Sequence, residues 1–424
     1  MPVPAHEATT RHLGALYPFL REEGLGDDGV LVGRDLLGAA FRYDPFHLYR
    51  HGVLTNPNMV VVGQLGRGKS AFVKTWLWRQ AAFGRRAWVV DPKGEYAALA
   101  RAWGVVPVSL RPGGTVRLNP LDAPPGTGAV ADHEEVLRTR VGLLASLAEA
   151  SLGRALTPPE RGAVELAVAA VSRPGVRPPT LPDVVDALLS PLPDAAATVG
   201  TDTAGLRADG RHVALELRRL VSGDLRGMFD GATTAGVRLD AALVVLDMSA
   251  VYHSAALGVL MACATAWLHS ALAAPGGAVL VVDEAWAILT NVGVARWLQS
   301  SWKLSRARGV ANVAVLHRLS DLDAAGGSGS EQVGLATGLL ADSETRVVYA
   351  QAPGEVGRSA ALLGLSDTEA DLLPHLRRGV ALWKVGTRSF LVEHRLSPHE
   401  AALVDTDAAM AGEAGPGPDA VPWR

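Results

Sequence analysis

The sequence predicts an α/β fold: a mainly parallel sheet flanked by helices, with an all-helical insertion. Short apolar runs, Met59–Val62, Arg86–Asp91, Ala242–Met248 and Ala278–Glu284, alternate with helix-patterned stretches, as buried parallel strands with crossovers do. The first run breaks into Gly63-Gln64-Leu65-Gly66-Arg67-Gly68-Lys69-Ser70 and leads into a helix. Between residues 122 and 240 strand alternation is missing and helical patterns take over. The expected organisation is a small β-rich lead-in over 1–57, a first core segment over 58–121, the helical insertion over 122–240, a second core segment over 241–397, and a disordered tail over 398–424.

The bulk properties agree with a globular chain. It has 424 residues, 48% hydrophobic and 20% charged, enough for one large nucleotide-binding domain with an insertion or for two domains. The net charge of −3 gives no overall basic footprint, so nucleic-acid contact would need a local arginine lining. A single cysteine, Cys263, excludes a disulfide framework and a cysteine-based metal site and fits a reducing cytoplasm. The first 30 residues hold no continuous apolar stretch, so no signal peptide is expected. The Ala-rich run Ser254–Ala274 contains His269 and lies between two strand-like runs, which favours a buried core helix over a membrane span.

Taken in order, the lead-in offers short apolar runs at Gly29–Gly33 and Ala39–Tyr43, with Phe41, Tyr43 or Tyr49 able to flank an adenine. In the glycine loop, Gly63, Gly66 and Gly68 let successive N–H groups turn toward phosphate oxygens, and the following helix adds its dipole. Lys69 would reach the β- and γ-phosphates of ATP and the Ser70 hydroxyl would ligate Mg²⁺, with Gln64, Leu65, Arg67 and Ala71 completing the cradle. A plain glycine turn is the alternative. Only five of the 40 basic residues are lysines, and one falls where a phosphate loop requires it.

A helix is expected over Ala71–Phe83. The strand Arg86–Asp91 then delivers Asp91, Lys93 and Glu95 to the sheet edge, where they can face the nucleotide; a helix N-cap explains Asp91 and Glu95 equally well. A strand over Thr115–Leu118 leads to Asn119-Pro120-Leu121, and helices follow over Glu134–Leu152, Pro158–Val171, Leu181–Leu189 and Arg211–Val221. At the end of the run Ala278–Glu284, Asp283 would hold Mg²⁺ through water and Glu284 would act as general base, with Asp247 as a competitor for the metal. A helix over Val292–Arg308 carries Lys303, Arg306 and Arg308 in its last turn. The strand Ala311–Leu316 ends on His317, which can reach the γ-phosphate or the water. After a glycine-serine loop at 325–330, a strand over Thr345–Ala350 includes Arg346, and a final strand pair spans Val380–Val385 and Ser389–Val392.

These pieces together resemble the TraC-like conjugation and type IV secretion ATPases of the HerA/FtsK motor superfamily. The resemblance runs through Gly63–Ser70, Asp91-Pro92-Lys93-Gly94-Glu95-Tyr96, Asn119-Pro120-Leu121, the helical insertion, Val281-Val282-Asp283-Glu284-Ala285-Trp286 and the basic helix end before His317, over about 30–395. It implies a RecA-like P-loop NTPase core, a homohexameric ring, Mg²⁺-dependent ATP hydrolysis between protomers, and an arginine supplied in trans, with Arg306 ahead of Arg308 and Arg346. It also implies partners among membrane-bound channel components, hence a cytoplasmic protein at the inner membrane face, and double- or single-stranded DNA. A free DNA translocase and a non-hydrolysing assembly subunit are the alternatives. Two departures stand out: His317 takes the place of the family's usual Gln, and only about 57 residues precede the core where the family carries a long N-terminal domain.

Overall fold

The computed structural model describes residues 24–122, 133–173, 177–223, 225–237, 241–254, 257, 260–261, 263–265, 277–289, 292–303, 305–320 and 331–404. Within them lie eleven strands: β1 (Val30–Asp35), β2 (Ala40–Tyr43), β3 (Met59–Val62), β4 (Arg86–Asp91), β5 (Val108–Ser109), β6 (Leu243–Asp247), β7 (Ala278–Val282), β8 (Val310–Leu316), β9 (Thr345–Val348), β10 (Val380–Val385) and β11 (Arg388–His394). They form one sheet in the order β2-β1-β11-β10-β9-β3-β8-β7-β4-β6-β5. From β9 to β5 every pairing is parallel; from β9 outward through β10, β11, β1 and β2 every pairing is antiparallel.

The parallel strands are apolar on both faces because both faces are covered. Val60 and Val62 of β3, Trp88 and Val90 of β4, and Leu280 and Val282 of β7 share a core with Leu144, Leu147, Val164 and Leu217 of the helical region. Their alternating neighbours Met59, Val61, Ala87, Val89, Val279 and Val281 pack on Phe72, Val73, Trp76 and Leu77 of the helix Lys69–Gln80. Burying each such side chain is worth about 1.5–3 kcal/mol, so the two cores fix the register that sets the strand ends. The segment 133–222 holds five helices, His133–Leu152, Pro158–Val171, Leu181–Leu189, Pro193–Thr198 and Thr203–Ser222, with no strand among its described residues. Thr157 with Glu160 and Thr180 with Asp183 form capping boxes that start the second and third of these.

Four expectations change. Thr115–Leu118 is no strand: Pro120 follows closely, and its backbone bonds run to an irregular loop, Leu118 N–H to Met228 O at 2.8 Å and Thr234 N–H to Arg117 O at 3.0 Å. The edge strand is β5 instead. The tail is ordered at its start, where Ser397 and Glu400 exchange capping bonds at the head of the helix Pro398–Val404. Arg79 then clamps that helix through Glu400 at 2.6 and 2.7 Å; residues 405–424 lie outside the described residues. Phe41 and Tyr43 cannot flank an adenine, because both are buried in the core against Trp383, with ring centroids 5.1 and 5.2 Å away. The basic stretch before β8 is two helices, Val292–Lys303 and Ser305–Arg308. The expected core helix over 254–274 falls mostly outside the described residues; those described between 257 and 265 are helical, and Leu257, Leu260, Met261, Cys263 and Ala264 are buried. No described helix is long and apolar enough to cross a membrane.

Candidate active site

The glycine loop is built where β3 runs out. Gly63, Gly66 and Gly68 take φ values of 156°, 73° and 110°, the last two in a region that disfavours side chains. A Cβ at Gly63 would also stand 2.5 Å from Tyr349 Cβ. Gln64 N–H donates to Ala350 O at 3.0 Å, pinning the loop to the end of β9, and Gln64 Oε1 takes the Arg67 guanidinium at 3.2 and 3.3 Å. Gly68 caps the helix Lys69–Gln80, so the N–H groups of its first turn open into the loop. Lys69 is buried; its ammonium donates to Gly63 O and, at 2.8 Å, to Gln64 O. Burial lowers the Lys69 pKa to about 8, opposed by the charges of Asp283 and Glu284.

Two strands away, about 10 Å across the sheet, β7 ends and delivers Asp283 and Glu284 to the same edge. Asp283 is buried, its pKa pushed up to about 6 by burial and by the charge of Glu284, and it has no ion pair among the described residues. Such a carboxylate gains from a nearby cation, and Ser70 on the helix Lys69–Gln80 supplies a hydroxyl; this donor set fits Mg²⁺. Glu284 is the one described non-glycine residue at positive φ, 52°. Its Oε1 faces His317 Nε2 at 2.5 Å and forms an ion pair with Lys93, while the Trp286 indole N–H donates to Oε2 at 2.5 Å. Burial pushes Glu284 up, but the hydrogen bonds from His317 and Lys93 outweigh it and hold the carboxyl down at about 2. His317, next after β8, lines a cavity of ≈ 390 Å³ with Gln64, Leu65, Gly66, Arg67, Arg318 and Arg378.

No family model matches the sequence, and no curated protein matches it. Among solved structures, VirB4 of Thermoanaerobacter pseudethanolicus superposes with a TM-score of 0.70 at 22% identity, over 90% of this chain and 100% of that one. The bacterial conjugative coupling protein TrwB follows at 14% identity, with a TM-score of 0.56 over 91% of this chain and 93% of TrwB unbound. TrwB in complex with ADP and Mg²⁺ gives the same TM-score, over 91% and 92%. The chain has the RecA-like P-loop fold of VirB4 and TrwB.

On that VirB4-like fold, Lys69, Ser70, Asp283, Glu284 and His317 gather at one sheet edge. Asp91 shares the edge but is engaged elsewhere, since its carboxylate accepts the N–H groups of Lys93, Gly94, Glu95 and Tyr96 at 2.9–3.2 Å and holds the turn that follows β4. Burial raises Asp91 to about 6. Glu95 points to buried Lys74, 3.7 Å from its Nζ. Asp247 lies four strands from β3, about 19 Å, and is occupied by Ser109 Oγ and Ser249 N–H at 3.0 Å each, which removes it from the metal role. Arg306 is exposed and sits before β8, at the opposite end of that seven-residue strand, roughly 23 Å from the protomer's own site. Arg346 is bound to Leu363 O at 3.0 Å, on the helix Pro353–Leu363. The lysine in Asp-Pro-Lys-Gly-Glu and the arginine before Gly379 belong to the site as well: the sequence placed Lys93 at the edge facing the nucleotide without its contact to Glu284, and it assigned Arg378 no role. Lys93 was visible as a strand-edge residue, whereas Arg378 arrives because Gly379 N–H donates to Arg67 O at 3.0 Å, a contact no local pattern foretells.

Proposed function

We propose that the protein is a Mg²⁺-dependent ATPase, a ring-forming motor that powers conjugative DNA transfer or type IV secretion. The observation that carries this reading is the convergence of Lys69 and Ser70 with Asp283, Glu284 and His317 at one edge of the sheet. Lys69 exchanges its carbonyl partners for phosphate oxygens, which repay the cost of its buried charge. Ser70 and Asp283 would hold Mg²⁺, which neutralises phosphate charge when bound. The first-turn N–H groups cradle the phosphates, His317 orients water, and Glu284 takes its proton. TrwB with ADP and Mg²⁺ on the same fold supports the choice of ligands.

With Arg306 at the opposite sheet edge, an arginine in trans belongs to a neighbouring copy. The resemblance to ring-forming conjugation and secretion motors implies that the assembly is a homohexamer that meets membrane-bound channel components and DNA, peripheral at the inner membrane face. Steady-state ATP hydrolysis measured against protein concentration tests this. Specific activity should rise steeply with concentration and vanish with EDTA; a specific activity independent of concentration would contradict a shared site. Stimulation by double-stranded DNA would favour a translocase over a secretion energiser.

A further inference from the structure

Glu284 is held by three protein donors. His317 and Lys93 both address Oε1, and Trp286 addresses Oε2. The backbone at φ 52° lies where residues other than glycine are uncommon, and such strain persists only when its surroundings enforce it. Three of the four lone-pair sites of the carboxylate are therefore taken, both of those on Oε1 among them, and a base must be within hydrogen-bond reach of the proton it takes. Oε1 becomes available to a water only when one of its donors lets go.

The three donors are not equally fixed. Trp286 lies two residues along the same turn and moves with Glu284 itself. His317 follows β8, whose seven residues are all buried. Lys93 reaches in from the turn after β4 on a long flexible stem, with 24% of its side chain exposed, and that turn is held by Asp91 rather than by Lys93. The Lys93 ammonium is also 3.3 Å from His317 Nε2 and 5.7 Å from the Tyr252 ring centroid. It is close enough to the phosphate loop to act on the charge of Lys69, so anions seated on that loop compete for it.

From this juxtaposition we infer that Lys93 is a positioning residue that clamps Glu284 away from water until phosphates on the loop draw the Lys93 ammonium off. The inference rests on the ATPase reading above and adds a controlling contact to it. It makes Lys93→Met a gain-of-activity variant, whereas an ordinary salt bridge or a phosphate-binding lysine would give none.

The test pairs steady-state kinetics with a readout independent of turnover. In the protein alone, Lys93→Met should raise kcat roughly 5- to 20-fold with KM within about twofold, and Lys93→Arg should stay within about twofold of wild type in both. A lower kcat in Lys93→Met would mean that Lys93 serves the substrate directly, and unchanged kinetics would mean that the contact controls nothing; either overturns the clamp. The Trp286 indole N–H resonance, assigned by its loss in Trp286→Phe, reads the state of Glu284. Saturating wild type with Mg²⁺ and a non-hydrolysable ATP analogue should move that resonance about 5–20% of the way toward its position in nucleotide-free Lys93→Met, the released fraction that matches the gain in kcat; an unmoved resonance at saturation overturns the clamp. If no analogue binds, the ATPase reading falls, and coincident resonances in wild type and Lys93→Met would overturn the clamp separately.

Discussion

Glu284→Gln is expected to lower Mg²⁺-dependent ATP turnover by about 10²- to 10⁴-fold, the range lost with a positioned general base, while nucleotide affinity stays within a few-fold of wild type. The amide keeps the shape of the side chain and an oxygen for the Trp286 indole, but it has no basic lone pair for a proton from water. Lys69 and Ser70 are untouched, so the phosphate cradle remains whole. Phosphate-release kinetics beside equilibrium nucleotide binding separate the two effects. Turnover within about fivefold of wild type would remove Glu284 from the chemistry and leave His317 as the nearest candidate.

Trp383→Ala is expected to destabilise the fold by about 3–5 kcal/mol, as large-to-small changes of buried aromatics do. Trp383 is buried on β10 with Phe41, Tyr43 and Phe72 around it, ring centroids 5.1–5.2 Å away and edge-on to its own. Phe72 belongs to the phosphate-loop helix, and Phe41 and Tyr43 to the β2 edge strand, so one side chain ties the lead-in hairpin to the nucleotide cradle. Chemical denaturation followed by tryptophan fluorescence and by circular dichroism measures the loss. A change below about 1 kcal/mol would mean that the hairpin docks independently of this cluster.

Much of this arrangement was legible because it is local. The run Met59–Val62 followed by glycines, Lys69 and Ser70 needs only neighbouring residues to fold as it does, and the same holds for β7 delivering Asp283 and Glu284. The helices of 133–222 announced themselves through apolar periodicity and caps such as Thr157 with Glu160. What stayed hidden depends on distant partners. Phe41 and Tyr43 look like ligand aromatics until β10 places Trp383 against them. Asp91 looks like a nucleotide residue until the turn after β4 uses up its carboxylate. Arg378 reaches the cavity through a single backbone bond to Arg67, and Lys93 meets Glu284 across two neighbouring strands, β4 and β7. The helix Pro398–Val404 was concealed by an Ala/Gly/Pro-rich composition, although Ser397-Pro398-His399-Glu400 is a capping sequence in its own right.

The most direct measurement of the central claim is Mg²⁺·ATP binding and hydrolysis by wild type beside Lys69→Ala. The site geometry predicts that wild type binds and hydrolyses ATP and that Lys69→Ala, lacking the one buried ammonium in the loop, loses at least about tenfold in affinity and nearly all turnover. Equal binding and equal turnover by the two proteins would contradict it, because the glycine loop would then be a structural turn and not a phosphate cradle.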